Sequence, residues 1–172
     1  MGGRKGRKFS LSSSYDETDY YFEEEMDIQP VYPTVTPKSE NQKNYNRALY
    51  SISKSMVFAI GPAGTGKTML ACYAAITGYA DKTFKKIVLT RPVVSVEEDI
   101  GYLPGTLEEK MDPWTRPVMD VFGEFYSQND IQYMMKEKII EICPLAYMRG
   151  RTFKNAFVIA DEMQNSTPNQ MK

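Results

Sequence analysis

The stretch Gly61-Pro62-Ala63-Gly64-Thr65-Gly66-Lys67-Thr68 follows one apolar run, residues 56–60, and precedes another of helical composition, residues 69–76. It matches the phosphate-binding pattern G-x-x-x-x-G-K-[ST] in the strand–loop–helix setting that the pattern requires. The glycines at 61, 64 and 66 are expected to supply the positive φ angles with which a loop wraps around a polyanion. A glycine-rich turn that only caps a helix is the alternative, and the filled positions and the context disfavour it. The stretch therefore predicts an anion-binding loop at a helix N-terminus.

Two side chains at the end of this loop carry the predicted phosphate chemistry. Lys67 is expected to reach the β- and γ-phosphate oxygens, and the Thr68 hydroxyl to bind Mg²⁺. Upstream, the Gln42 amide can donate to N7 and accept from N6 of adenine, which would select ATP. The predicted nucleotide contacts are Gln42, Gly61, Pro62, Ala63, Gly64, Thr65, Gly66, Lys67, Thr68 and Met69.

Two carboxylates follow the apolar run at residues 156–160. Asp161 ends this predicted strand, where a carboxylate orients the Mg²⁺ that Thr68 also binds. Glu162 is the predicted general base for attack of water on the γ-phosphate. Because ligands of parallel α/β sheets gather beyond the carboxyl ends of the strands, Gly61 and Asp161 are expected at the same edge. An acidic cap on the following helix is the alternative, and the pairing with the loop favours Mg²⁺.

The composition bounds the class of protein. The chain has 172 residues, 42% hydrophobic and 25% charged, with a formal net charge of −1, so bulk charge alone is not expected to bind nucleic acid. It has no histidine and two well-separated cysteines, which argues against His-based catalysis and a structural zinc site. No apolar run approaches the ~18 residues of a membrane span. We therefore expect a cytoplasmic protein that does not enter a membrane.

The chain divides into a tail and a domain. Residues 1–35, with a basic and then an acidic block, are typical of a solvated, disordered tail, and residues 36–172 are expected to fold. The apolar pattern predicts helices at 41–51, 68–79, 112–125 and 130–137, strands at 56–60, 86–90, 139–143 and 156–160, and a loop at 101–105. Strands alternating with helices predict an α/β fold around a mainly parallel sheet.

A short cationic segment precedes the last predicted strand. Arg149 and Arg151 flank a glycine there, and they either contact phosphate or RNA or belong to a solvated turn. Trp114 and Tyr102 can stack on bases, although packing in the core or a loop is their ordinary use.

Taken together, these motifs resemble the PhoH family, the phosphate-starvation-inducible P-loop ATPases that many bacteriophages also carry. The resemblance covers roughly residues 37–172. Its most specific stretches are Gly101-Tyr102-Leu103-Pro104-Gly105 and Arg149-Gly150-Arg151-Thr152-Phe153, and it also takes in Thr90-Arg91-Pro92 and Asp161-Glu162-Met163-Gln164.

The resemblance implies a P-loop NTPase core similar to the RecA-like N-terminal half of superfamily 1 helicases. By that analogy Gln42 reads adenine, Thr90 and Arg91 lie toward nucleic acid, and Gln164 couples the two sites. It further implies ATP and Mg²⁺ as ligands, RNA as a partner, a homo-oligomeric ring and, for a phage-encoded chain, the host cytoplasm.

Family members continue past the motif Gln170-Met171-Lys172 to a sensor strand and an arginine that completes a neighbour's site. The expectation is therefore that residues 36–172 are the N-terminal part of the domain and that the chain is truncated. A strand between those that carry Gly61 and Asp161 would then be missing, which would leave backbone groups and apolar faces uncovered.

Three functions stay open at this point. They are ATP hydrolysis coupled to RNA, nucleotide binding without turnover, and small-molecule phosphoryl transfer by a kinase. The kinase is disfavoured by Glu162, because phosphoryl transfer to a small molecule must keep water out.

Overall fold

The computed structural model describes residues 27–92 and 107–171, and within the helix that begins at Leu107 it describes the side chains at 113 and 115–123. Four helices and three strands occur in these ranges: α1 Glu40–Leu49, α2 Lys67–Ala80, β1 Lys86–Thr90, α3 Leu107–Gly123, α4 Gln128–Lys136, β2 Ile140–Ile142 and β3 Ala156–Ala160. Single 3₁₀ turns, Leu145–Tyr147 and Met163–Asn165, follow β2 and β3.

The three strands form one parallel sheet in the order β2-β1-β3. β1 pairs with β3 from Lys86 opposite Ala156 to Thr90 opposite Ala160, and with β2 from Ile87 opposite Ile140. Parallel neighbours require crossover connections, which the helices supply. The predicted α/β fold with a parallel sheet is confirmed.

The hydrophobic cluster that the helices share with the sheet lies on one face, and Val88 on the other face of β1 is also fully buried. Because side chains alternate along a strand, Ile87 and Leu89 point to the same face, where they join a buried cluster from α2, α3 and α4. Phe122 of α3 and Cys72 of α2 lie at its centre and are fully buried. Burial raises the pKa of the Cys72 thiol to about 12, so this cysteine is a neutral core side chain rather than a nucleophile.

The predicted helices and three of the four predicted strands are present. α3 begins at Leu107, five residues before its predicted start, and it continues through Pro113 and Pro117. The predicted loop at 101–105 and most of the predicted tail, residues 1–26, lie outside the described residues. Residues 27–35 contain neither helix nor strand.

The predicted strand at residues 56–60 is wrong. The segment has no strand pairing within the described chain, and Met56, Phe58 and Ile60 are 72%, 79% and 95% exposed. The physical reason is that a strand exists only with a partner strand to accept and donate its backbone hydrogen bonds. An apolar run gives no information about whether that partner is present.

β3 is buried on one face only. Ile159 points into the core and is buried, whereas Val158 on the opposite face is 39% exposed and Ala160 is exposed. The helices that contact the sheet contribute to the cluster on the Ile159 face.

None of the helices in the described ranges combines the length and the apolar character needed to cross a bilayer.

Candidate nucleotide-binding site

The loop of residues 61–68, called the phosphate-binding loop below, ends at the N-terminus of α2. Gly64 and Gly66 have φ angles of 73° and 81°, so the expected positive φ is confirmed at these positions. The φ angle of Gly61 is not positive, so the expectation is wrong there. Gly66 is the N-cap of α2 and has no side chain to cap it. The first N–H groups of α2 therefore have no capping side chain, which is the arrangement that binds anions at helix N-termini.

Lys67 is turned back onto the loop. Its Nζ donates to the carbonyl oxygens of Gly61 at 2.9 Å and Pro62 at 2.7 Å. The Thr65 hydroxyl also donates to the Pro62 carbonyl, at 2.9 Å. The ammonium group thus neutralises the carbonyl dipoles of its own loop and lies beside the space that phosphates would enter.

Thr68 and Asp161 meet beside the loop. The Thr68 hydroxyl donates to Oδ1 of Asp161 at 2.9 Å, and Nη1 of Arg91 lies 3.9 Å from Oδ2 of the same carboxylate. The Asp161 backbone N–H donates to the Thr90 carbonyl at 2.9 Å, which extends the pairing of β1 and β3 by one bond and fixes the carboxylate at the sheet edge. Thr68, the last residue of the phosphate-binding loop, thus meets Asp161 at the carboxyl end of the sheet.

This pair fits the chemistry of Mg²⁺. A hydroxyl and a carboxylate are hard oxygen donors, and Mg²⁺ is commonly held by one or two such protein groups together with phosphate oxygens and water. Across residues 27–92 and 107–171 no cluster of three or more His, Cys, Asp or Glu side chains has metal-binding geometry. A cation here would depend on Thr68, Asp161 and the phosphates of the nucleotide.

Glu162 has an unusual backbone conformation. Its φ of 53° lies in the left-handed region, which is uncommon for a residue other than glycine. Its carboxylate accepts a short hydrogen bond from the Gln164 amide, and its carbonyl accepts from the Asn165 N–H at 3.0 Å. The predicted general base is therefore held by the turn Met163–Asn165, directly after the Mg²⁺ candidate Asp161.

Gln42 contacts the phosphate-binding loop itself. Its Nε2 donates to the Thr65 carbonyl at 3.1 Å, and its Oε1 accepts from the Lys38 N–H at 2.6 Å. One turn along α1, the Tyr45 hydroxyl donates to the Lys67 carbonyl at 3.3 Å. The role of Tyr45 is missing from the sequence prediction, although its spacing of three residues from Gln42 places both on one helix face.

The candidate nucleic-acid contacts differ in exposure and in bonding partners. Thr90 is buried and Arg91 lies against Asp161, whereas Arg149 and Gln164 are exposed. Arg151 forms a short ion pair with Glu141, and its guanidinium carbon lies 4.7 Å from the centre of the Phe153 ring. Contact of these residues with nucleic acid stays a prediction.

Comparison with known proteins finds a family model and relatives that match most of the chain. The family model described as "PhoH-like protein" matches residues 34–172. A PhoH-like protein of Bacillus subtilis is 44% identical over 160 residues, which cover 91% of this chain and 50% of the relative. A PhoH-like protein of Mycobacterium tuberculosis is 48% identical over 139 residues, and Protein PhoH of Escherichia coli is 44% identical over 140 residues, each covering 39% of the relative.

The chain spans half or less of the length of these relatives, so the activity and partners of the whole proteins do not transfer to it directly. The family match, however, covers the phosphate-binding loop, the Thr68–Asp161 pair and the whole described sheet. The resemblance read from the motifs is thereby confirmed, and the chain belongs to the PhoH-like protein family, a family of P-loop ATPases.

Proposed function

We propose that this site binds ATP with Mg²⁺ and hydrolyses it, and that hydrolysis is coupled to RNA. The observation that carries the proposal is the hydrogen bond of 2.9 Å between Thr68 and Asp161. These residues lie 93 positions apart, and they meet beside an anion-binding loop with glycines at φ 73° and 81°. A hydroxyl and a carboxylate beside a phosphate-binding loop can together bind a metal–triphosphate complex.

Each residue has a role in this proposal. The N–H groups of the phosphate-binding loop hold the phosphates, and Lys67 exchanges its bonds to Gly61 and Pro62 for phosphate oxygens. Thr68 and Asp161 hold Mg²⁺, which neutralises phosphate charge when it is bound. Glu162 orients a water molecule and accepts its proton, which makes it the catalytic base.

The RNA part of the proposal rests on the family and on the solvent exposure of two candidate contact residues. Arg149 and Gln164 are exposed, and Gln164 hydrogen-bonds to the proposed base Glu162. A nucleic acid that engages the Gln164 amide would therefore change the partner of Glu162. The ring assembly implied by the resemblance likewise stays a proposal.

Nucleotide binding without turnover is the second candidate, and a specific observation favours it. Residues 56–60, which lead into the phosphate-binding loop, have no strand partner in the part of the chain that the structure describes, and Phe58 and Ile60 are largely exposed. A loop on an unpaired segment can bind phosphate through local N–H groups and still lack the fixed geometry that hydrolysis needs.

The test is MgATP binding and phosphate release by the purified chain, with and without RNA. We expect Lys67→Ala to abolish binding and Glu162→Gln to keep binding while lowering turnover at least 100-fold. Lys54→Ala and Glu137→Gln are matched controls, since both side chains are exposed and lie outside the site.

The outcomes separate the candidates. Turnover that Glu162→Gln removes supports hydrolysis, and stimulation by RNA supports the coupled function. Binding without turnover in the parent chain favours the second candidate. Undiminished binding by Lys67→Ala would refute the nucleotide site.

A further inference from the structure

Helix α1 carries two polar side chains that reach the phosphate-binding loop. Gln42 and Tyr45 lie one helical turn apart, so they point from the same face of α1. Gln42 donates to the carbonyl of Thr65 at 3.1 Å, and Tyr45 donates to the carbonyl of Lys67 at 3.3 Å. Two alternate carbonyls of one loop are thus held by one helix face.

Because peptide bonds are planar, these two hydrogen bonds also orient backbone N–H groups of the loop. The described chain contains no cis peptide bond, and in a planar trans peptide the C=O and the following N–H point in opposite directions. A carbonyl of Thr65 held toward α1 therefore directs the N–H of Gly66 away from α1. The Lys67 carbonyl constrains the N–H of Thr68 in the same way.

We propose that Gln42 and Tyr45 are positioning residues that hold the phosphate-binding loop in its anion-binding conformation through the carbonyls of Thr65 and Lys67. The inference rests on the proposed nucleotide-binding function, and it assigns to Gln42 a role that does not involve the base. It assigns to Tyr45 a role in the site that the motifs do not indicate.

Hydrogen bonds within the start of α1 hold Gln42 in place. Ser39 caps α1 by accepting from the Gln42 N–H at 3.2 Å, and the Gln42 Oε1 accepts from the Lys38 N–H at 2.6 Å. These bonds leave the Gln42 amide one orientation in which Nε2 faces the loop. A side chain that is held in this way loses little further conformational entropy when it supports the loop.

Tyr45 is suited to act as a permanent donor. Burial, with smaller contributions from Cys72 and the Asp161 carboxylate, raises the pKa of the Tyr45 hydroxyl to about 12. The hydroxyl therefore keeps its proton throughout the range in which such a site would work.

Adenine recognition by Gln42 is a separate question. After its two hydrogen bonds, the amide retains one N–H and one lone pair, which is enough to contact a base. A ligand that has phosphates and no base separates the two roles, because a positioning residue affects its binding and a base reader does not.

The experiment measures the affinity of the full chain for Mg²⁺-tripolyphosphate and for MgATP by calorimetry. The variants are Gln42→Met, which keeps the length of the side chain without the amide, and Tyr45→Phe. Tyr50→Phe is the matched control, because the Tyr50 hydroxyl also joins α1 to α2, through the Thr77 hydroxyl at 3.3 Å, and does not touch the loop.

We expect Gln42→Met and Tyr45→Phe each to weaken tripolyphosphate and ATP binding by about three- to tenfold, the factor that corresponds to one ordinary hydrogen bond. Tyr50→Phe is expected to leave both affinities unchanged, because its hydroxyl does not touch the loop. A purely structural role of Tyr45 would not separate these two variants.

Four results would overturn the inference. Unchanged tripolyphosphate binding by Tyr45→Phe would remove its role in the loop. A loss of ATP affinity alone in Gln42→Met would make Gln42 a base reader. A parent chain that binds neither ligand refutes the proposed function, and the inference falls with it, whereas a parent that binds both beside unaffected variants refutes only the inference.

Discussion

The two chain segments that lead into the candidate site are anchored in opposite ways. β3, which leads into Asp161, is paired with β1 at each of its five residues. Residues 56–60, which lead into Gly61, have no strand partner within the described ranges, and their alternate apolar side chains are exposed. The sheet therefore positions the carboxylate, whereas helices α1 and α2 position the phosphate-binding loop.

The largest expected effect comes from comparing a phenylalanine buried in the core with one exposed in residues 56–60. Phe122 is fully buried, and Phe122→Ala is expected to cost about 3–5 kcal/mol of unfolding free energy, a large part of an ordinary domain's stability. Phe58 is 79% exposed, and Phe58→Ala is expected to change stability by no more than about 0.5 kcal/mol. Urea unfolding of both variants measures the difference. A comparable loss in Phe58→Ala would mean that residues 56–60 are covered in solution.

Gly78 tests the junction between α2 and the sheet. A Cβ at this position would lie 2.6 Å from the ring of Phe84, just before β1. Gly78→Ala is therefore expected to destabilise the chain by about 1–3 kcal/mol, because the ring or the helix must shift. In Gly123→Ala a Cβ meets nothing within 4 Å, so this control is expected to be neutral or slightly stabilising. Equal melting temperatures of the two variants would contradict the close packing of Gly78 on Phe84.

A smaller effect is expected at the far edge of the sheet, where Glu141 is held by two cations. The hydrogen bond from Arg151, and then Lys86 at 3.1 Å, keep the pKa of the Glu141 carboxyl below its ordinary value of 4.5. A lowered pKa in the folded state stabilises the fold above the ordinary pKa, and this stabilisation is lost as the pH falls through the folded value. We expect less than about 1 kcal/mol, because the cations are partly solvated.

The pH dependence is measured by thermal melting of the parent chain and of Glu141→Gln from pH 7 to pH 3. The variant is expected to melt lower at pH 7, and the gap is expected to close below about pH 4.5. Glu137→Gln, an exposed glutamate at the end of α4, is the control and should show no such convergence. A gap that is independent of pH would show that Glu141 acts through packing rather than through its charge.

The contrast between the two segments also marks the limit of sequence reasoning. Both 56–60 and 156–160 are apolar runs followed by candidate site residues, and both patterns predict strands. Composition determines whether a run is suited to a strand, but pairing depends on a partner elsewhere in the chain, which local composition does not reveal. The sequence predicts the meeting of Thr68 and Asp161 from their shared suitability for Mg²⁺, although the strand expected to carry the loop to the sheet is not paired.

Details of the site that depend on individual rotamers were not predictable. The left-handed backbone of Glu162 has no signal in the sequence, since the residues that favour this conformation are glycine and asparagine. In the sequence, Tyr45 is only one residue of the helix predicted at 41–51. α3 runs through two prolines, because the packing of its buried face outweighs the intrinsic preference of single residues.

The position of Lys67 has a thermodynamic consequence for any ligand of this loop. Its ammonium group already donates hydrogen bonds to the carbonyls of Gly61 and Pro62. A phosphate that binds to Lys67 therefore replaces these hydrogen bonds. The measured affinity is then the difference between two sets of bonds, and it understates the strength of the new set. A variant whose loop is less stable before phosphate binds would therefore show a higher affinity, just as a variant with a better contact to the ligand would.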